Sequence, residues 1–175
     1  MAKKAPSPKA ASRLSTQTDL SSNIVPEIAE ALNGLVADSY ALYTKTKNFH
    51  WHVSGPHFRD YHLLFDEQAA EIFATVDDLA ERVRKLGART IHSIGEIAKL
   101  QTIKDNDKDF VSPAEMLTEL MNDNKLVIKR MRTAHEIADK HEDVATASIL
   151  ENFIDQAEKR NWFLFEASRS ASEGH

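Results

Sequence analysis

Five side chains within residues 48–82 are of the types that bind first-row transition metals: His50, His62, Asp66, Asp77 and Glu81. Imidazole nitrogen and carboxylate oxygen suit ferrous iron, and also zinc or manganese, so the donor set alone leaves the metal open. The chain has no cysteine, which excludes thiolate ligation, disulfides and cysteine nucleophiles. Any metal must be held by nitrogen and oxygen.

The elements that must position these residues follow from the breakers. Gly55-Pro56 interrupts the helix that leads up to His52. No Gly or Pro follows between 57 and 86, so one long helix is expected there, with Gly87 just past its end. At about 100° per residue, His62, Asp66, Asp77 and Glu81 fall at roughly 0°, 40°, 60° and 100°, on one face. Along the axis they divide into two pairs, each about 6 Å apart, with roughly 16 Å between Asp66 and Asp77. No single metal site spans that gap, since metal–ligand bonds are about 2 Å long and paired metals sit roughly 4 Å apart. One chain therefore supplies two half-sites. If a second copy packs antiparallel about a two-fold axis, His62 and Asp66 of one come level with Asp77 and Glu81 of the other, and two equivalent sites result. His50, at the end of the preceding helix, could complete each. A lone His or Asp on a helix is most often merely solvated; the joint spacing carries the argument. His52 and His57 read as turn or rim residues.

The run H50-W51, G55, F58, H62, D66-E67, D77 and A80-E81-R82 resembles the Dps family, the ferritin-like miniferritins that bind DNA in starved bacteria. The resemblance covers roughly residues 24–169. It implies that His50, His62, Asp66, Asp77 and Glu81 form a ferroxidase site across a dimer interface, that the metal is iron with two ions per site, and that hydrogen peroxide is the preferred oxidant. It also implies a hollow twelve-subunit shell that stores ferric oxide and admits iron through acidic three-fold pores. Glu67 and Glu71 are then candidates for mineral nucleation, and Asp139, Glu142 and Asp143 for the pores, although Ser148 stands near a position where some members carry a further Asp. Trp51 reads first as interface packing; in the family a Trp here lies beside the iron site and can take up oxidising equivalents.

The 175 residues, 42% hydrophobic and 28% charged, suffice for one domain with a real core. The first eighteen differ from the rest: Lys3, Lys4, Lys9 and Arg13 occur among Pro, Ser and Ala without any acid. This is expected to be a mobile basic arm. Taking its four charges from the net −5 leaves −9 on the remainder. An acidic body repels DNA, whereas repeated basic arms on one oligomer neutralise phosphates without reading bases. The resemblance agrees, since some members bind DNA through lysine-bearing tails. The expected partition is an arm at 1–22, a bundle at 23–170 and a tail at 171–175. No secretory signal or membrane span is expected, so the protein is expected in the cytoplasm, and on the nucleoid if the arm binds DNA.

The fold expectation is all-α. A first helix over Val25–His52 carries Ile28, Leu32, Leu35, Leu42 and Phe49 at helical spacing. Ile94, Ile97 and Leu100 suggest a short helix, followed by a polar loop whose alternating Asp105, Asp107 and Asp109 lack the Gly and Glu of a calcium loop. Ser112-Pro113-Ala114-Glu115 is a capping-box signal for a third main helix, and a fourth follows a turn at Lys140-His141. Four main helices with one long crossover carrying a short helix make a ferritin-like bundle. No Glu-x-x-His occurs, which disfavours a di-iron site inside one subunit.

The function expected is an iron-oxidising and iron-storing miniferritin that protects DNA. Two alternatives of other classes are a nucleoid-compacting protein with a vestigial metal site, and a four-helix interaction module holding structural zinc.

Overall fold

The structure, a computed structural model, describes residues 14–169. Five helices follow one another, and no strand occurs among the described residues: α1 (Val25–His52), α2 (Phe58–Lys85), the short α3 (Ile94–Leu100), α4 (Pro113–Lys140) and α5 (Val144–Ser168). The helices α1 and α2 pack as one hairpin and α4 and α5 as another; α1 joins the two halves by packing on α4 and also carries α3.

The ends of the helices are set by local chemistry. At the α1–α2 turn, Gly55 adopts φ +110°, which an L side chain avoids, and its carbonyl accepts from the Phe58 amide at 3.0 Å. The turn folds the end of α1 back on the start of α2. Gly87, at φ +79°, closes α2, and the following Ala88 amide reaches back to the Val83 carbonyl. At α4 the Ser112 hydroxyl accepts from the Glu115 amide while the Glu115 carboxylate accepts from the Ser112 amide, completing the capping box.

Phe49, Phe65, Leu35, Leu42, Leu79, Leu120 and Met131 are fully buried between the helices. The long crossover and α4 are fastened to α1 by polar groups. Asp38, fully buried on α1, accepts from the Thr102 amide at 2.5 Å and the Ile103 amide at 3.2 Å, and pairs with Arg130 of α4. Lys45, also buried, bridges Asp123 at 2.7 Å and Glu119 at 2.9 Å. Before α1, the Thr16 hydroxyl donates to the Arg84 carbonyl at 2.9 Å, so part of the segment expected to belong to the arm touches the end of α2.

No helix among the described residues is long and apolar enough to cross a membrane.

Candidate metal centre

The α1–α2 turn brings His50 and His62 face to face, with ring centroids 3.8 Å apart. His50 Nδ1 lies 2.8 Å from the His62 carbonyl, and His62 Nδ1 lies 2.9 Å from the His50 carbonyl. A carbonyl oxygen only accepts, so each Nδ1 carries a proton and donates it. In the neutral rings the lone pairs are therefore on the two Nε2 atoms. Such a bond fixes both the tautomer and the orientation of a metal-binding imidazole. Phe58 stacks on the outer side of His62, centroids 5.0 Å apart.

Asp66, one turn along α2 from His62, is half-exposed, and its Oδ1 lies 3.9 Å from His50 Nε2. The same oxygen accepts a 2.6 Å hydrogen bond from Lys47. That hydrogen bond, reinforced by the charge of Lys47, holds the Asp66 carboxyl below its ordinary value. The Lys47 ammonium also lies 5.8 Å from the centre of the Trp51 ring, and Trp51 is exposed. Two imidazoles and a carboxylate thus lie near one another, with a side-chain ammonium resting on the carboxylate.

Asp77 and Glu81 are exposed on the same helix, and Glu81 pairs with Lys85 at 3.3 Å. Because α2 runs unbroken over 28 residues, the separation between Asp66 and Asp77 stays at about 16 Å of helix rise. His50, His62 and Asp66 are thus brought together, and Asp77 with Glu81 forms a separate pair. Among the described residues, no group of three or more such side chains is gathered closely enough to hold a metal ion.

The remaining sequence candidates are scattered. Glu67 is exposed. Glu71 faces α5, where Lys159 lies at 3.3 Å and the buried Arg160 at 3.6 Å. Asp139 lies 3.7 Å from His135, which also meets Glu151 at 3.2 Å, and Glu142 is exposed. The expectation that Asp143 lines a pore does not fit its position. Asp143 is buried, caps α5 through the Thr146 amide at 3.1 Å, and pairs with Arg82 at 2.6 Å. Its carboxylate is committed to joining α2 to α5. Lys3, Lys4, Lys9 and Arg13 lie outside the described residues.

Lys47 was missed from the sequence, and Phe58, although part of the run that resembles the family, was given no role at the site. Lys47 lies one turn before His50, which could have placed it on the ligand face of α1.

Residues 29–168 match the family model of the ferritin-like domain. A DNA protection during starvation protein from Brevibacillus brevis is 35% identical over 137 residues, covering 78% of this chain and 91% of that one. The crystal structure of Dps from Thermosynechococcus elongatus superposes with a TM-score of 0.82 at 30% identity, over 85% of this chain and 94% of that chain. A Dps protein from Vibrio cholerae, described as one of a broad superfamily of ferritin-like diiron-carboxylate proteins, gives a TM-score of 0.83 at 27% identity, over 89% of this chain and 98% of that chain. Helical bundle and sequence alike place the protein in the ferritin-like class. Within that class, the chain belongs to the Dps family.

Proposed function

We propose that the protein is a ferroxidase and iron store whose reaction site is assembled from two subunits. The observation that carries this reading is the reciprocal bond between His50 and His62, which leaves two imidazole nitrogens free for metal beside Asp66. A second feature supports the partner subunit. Phe73 is 48% exposed, lies between the two half-sites on α2, and falls about 20° from His62 around the helix axis. Tyr43 and Tyr40 lean on it at 4.9 and 6.0 Å. An exposed aromatic patch at the midpoint of the helix suits packing against a copy of itself.

Ferrous iron is the substrate. His50, His62 and Asp66 of one subunit, with Asp77 and Glu81 of the other, hold two ions close together. Each gives up one electron, and hydrogen peroxide takes both with two protons to yield two waters. A lone ferrous ion would supply one electron and release hydroxyl radical, so pairing the ions protects nearby DNA. Lys47 must leave Asp66 as iron arrives. The ferric product is stored in a hollow shell, which we take as twelve subunits, with Glu67 as the better-exposed nucleation candidate and Asp139 and Glu142 at the pores. Zinc or manganese would compete for the same donors.

The basic residues Lys3, Lys4, Lys9 and Arg13 bind DNA without sequence preference, and salt weakens that binding. Cytoplasmic residence, at the nucleoid, follows from this reading.

The test loads metal-free protein with ferrous iron under anaerobic conditions, adds hydrogen peroxide and follows ferric absorbance. Rapid oxidation with little trapped hydroxyl radical is expected, and near-complete loss in a His62→Ala/Asp66→Ala variant. Oxidation at the rate of buffer by both proteins would refute the reading.

A further inference from the structure

The outer face of His62 is covered by an aromatic ring. Phe58, the first residue of α2, stacks on His62 with centroids 5.0 Å apart and planes 30° apart, and His62 stacks in turn on His50 at 3.8 Å and 22°. The rings form one column, Phe58–His62–His50, with His62 in the middle. Local chemistry builds it. Gly55, at φ +110°, turns the backbone so that its carbonyl accepts from the Phe58 amide at 3.0 Å, and Phe58 and His62 are then four residues apart on one face of α2. The His62 ring itself is held by a single hydrogen bond, Nδ1–H to the His50 carbonyl at 2.9 Å. One such bond at a half-buried ring competes with water and fixes an orientation only modestly. Phe58 is 44% exposed, so its ring covers His62 without belonging to the buried core.

We propose that Phe58 is a positioning residue for ferrous iron: its ring holds the His62 imidazole against His50 in the one orientation that keeps Nδ1 on the carbonyl and Nε2 open to metal. The proposal rests on the reading that His62 binds iron. An aromatic stack of this kind favours one orientation of the ring by a factor of roughly two to ten. The apparent affinity of a site falls with the population that is able to bind, so that factor carries over to iron. At saturating iron the metal itself selects the binding orientation, and the maximal rate of oxidation is unaffected.

The experiment compares the wild type with Phe58→Leu, which keeps an apolar side chain in place, Phe58→Tyr, which keeps the ring, and His62→Ala. Ferrous binding is measured calorimetrically under anaerobic conditions, and oxidation by peroxide over a series of iron concentrations. Crystal structures of the metal-free proteins show the His62 ring. Phe58→Leu is expected to bind ferrous iron roughly two- to tenfold more weakly and to need correspondingly more iron for its half-maximal rate. Its maximal rate stays that of the wild type, and its His62 takes more than one orientation. Phe58→Tyr matches the wild type throughout. Unchanged affinity in Phe58→Leu, a weakened affinity with His62 held as in the wild type, or an equal loss in Phe58→Tyr would each overturn the positioning role and leave the metal reading standing. A wild type that takes up no ferrous iron, or takes it up no better than His62→Ala, would overturn the metal reading itself.

Discussion

His50 and His62 each donate Nδ1–H to the other's backbone carbonyl, at 2.8 and 2.9 Å, with their rings stacked. Neither ring can turn without breaking its own bond and unstacking the other. Replacing either His with Ala therefore removes one proposed ligand and loosens the second. We expect metal affinity, measured calorimetrically with ferrous iron under anaerobic conditions, to fall more than about tenfold in each single variant. The double variant should be little worse than either single one. Additive losses would mean that the two rings act independently.

Lys47 is bonded to Asp66 where iron is expected to bind. Removing that competing positive charge in Lys47→Gln should tighten ferrous binding roughly tenfold at low ionic strength and less at high ionic strength. Weaker binding in the variant would show that Lys47 holds Asp66 ready for metal and does not compete with it.

Acid should weaken metal binding for a reason independent of folding. Each Nε2 must be free of a proton to bind, so ferrous affinity is expected to fall steadily from about pH 8 to about pH 5. A flat profile would take the imidazoles out of the site.

Stability has its own response to acid at the foot of the bundle. Hydrogen bonds from His141 and then Lys140 hold the Glu27 carboxyl below its ordinary 4.5. A carboxyl lowered in the folded state stabilises the fold above its unfolded value, and that contribution is lost as pH falls through the folded value. The melting temperature of Glu27→Gln should thus lie below that of the wild type above about pH 4.5 and converge with it in stronger acid. A gap that widened as pH fell would reverse the sign.

Asp38 has no exposed surface and holds the crossover to α1 and α4 through Thr102, Ile103 and Arg130. Asp38→Ala strands two backbone amides and a guanidinium, so a loss of about 3–5 kcal/mol is expected in urea unfolding. A change below about 1 kcal/mol would mean that water replaces the carboxylate easily.

Local chemistry was the legible part of this sequence. Pro26 at the start of α1, the Ser112–Glu115 capping box and the breakers Gly55-Pro56 and Gly87 mark helix ends through residues only a few positions apart. The common face of His62, Asp66, Asp77 and Glu81 follows from helix geometry alone, and α2 is unbroken as that geometry requires. Contacts across the bundle were not legible. The Lys47–Asp66 bond depends on how α1 crosses α2, and the burial of Asp143 depends on Arg82 arriving from 61 positions away. The hold on Leu14 and Thr16 likewise needs Arg84, some 70 positions along the chain.

In the proposed assembly each reaction site takes residues from two subunits. The direct test combines two inactive variants, His62→Ala/Asp66→Ala and Asp77→Ala/Glu81→Ala, by joint refolding, and measures ferrous oxidation by peroxide. In a mixed dimer one site receives both sets of substitutions and the other receives none. Random pairing therefore restores about a quarter of wild-type activity if the sites are shared. No recovery in mixtures shown to contain mixed dimers would mean that the two subunits do not share their sites.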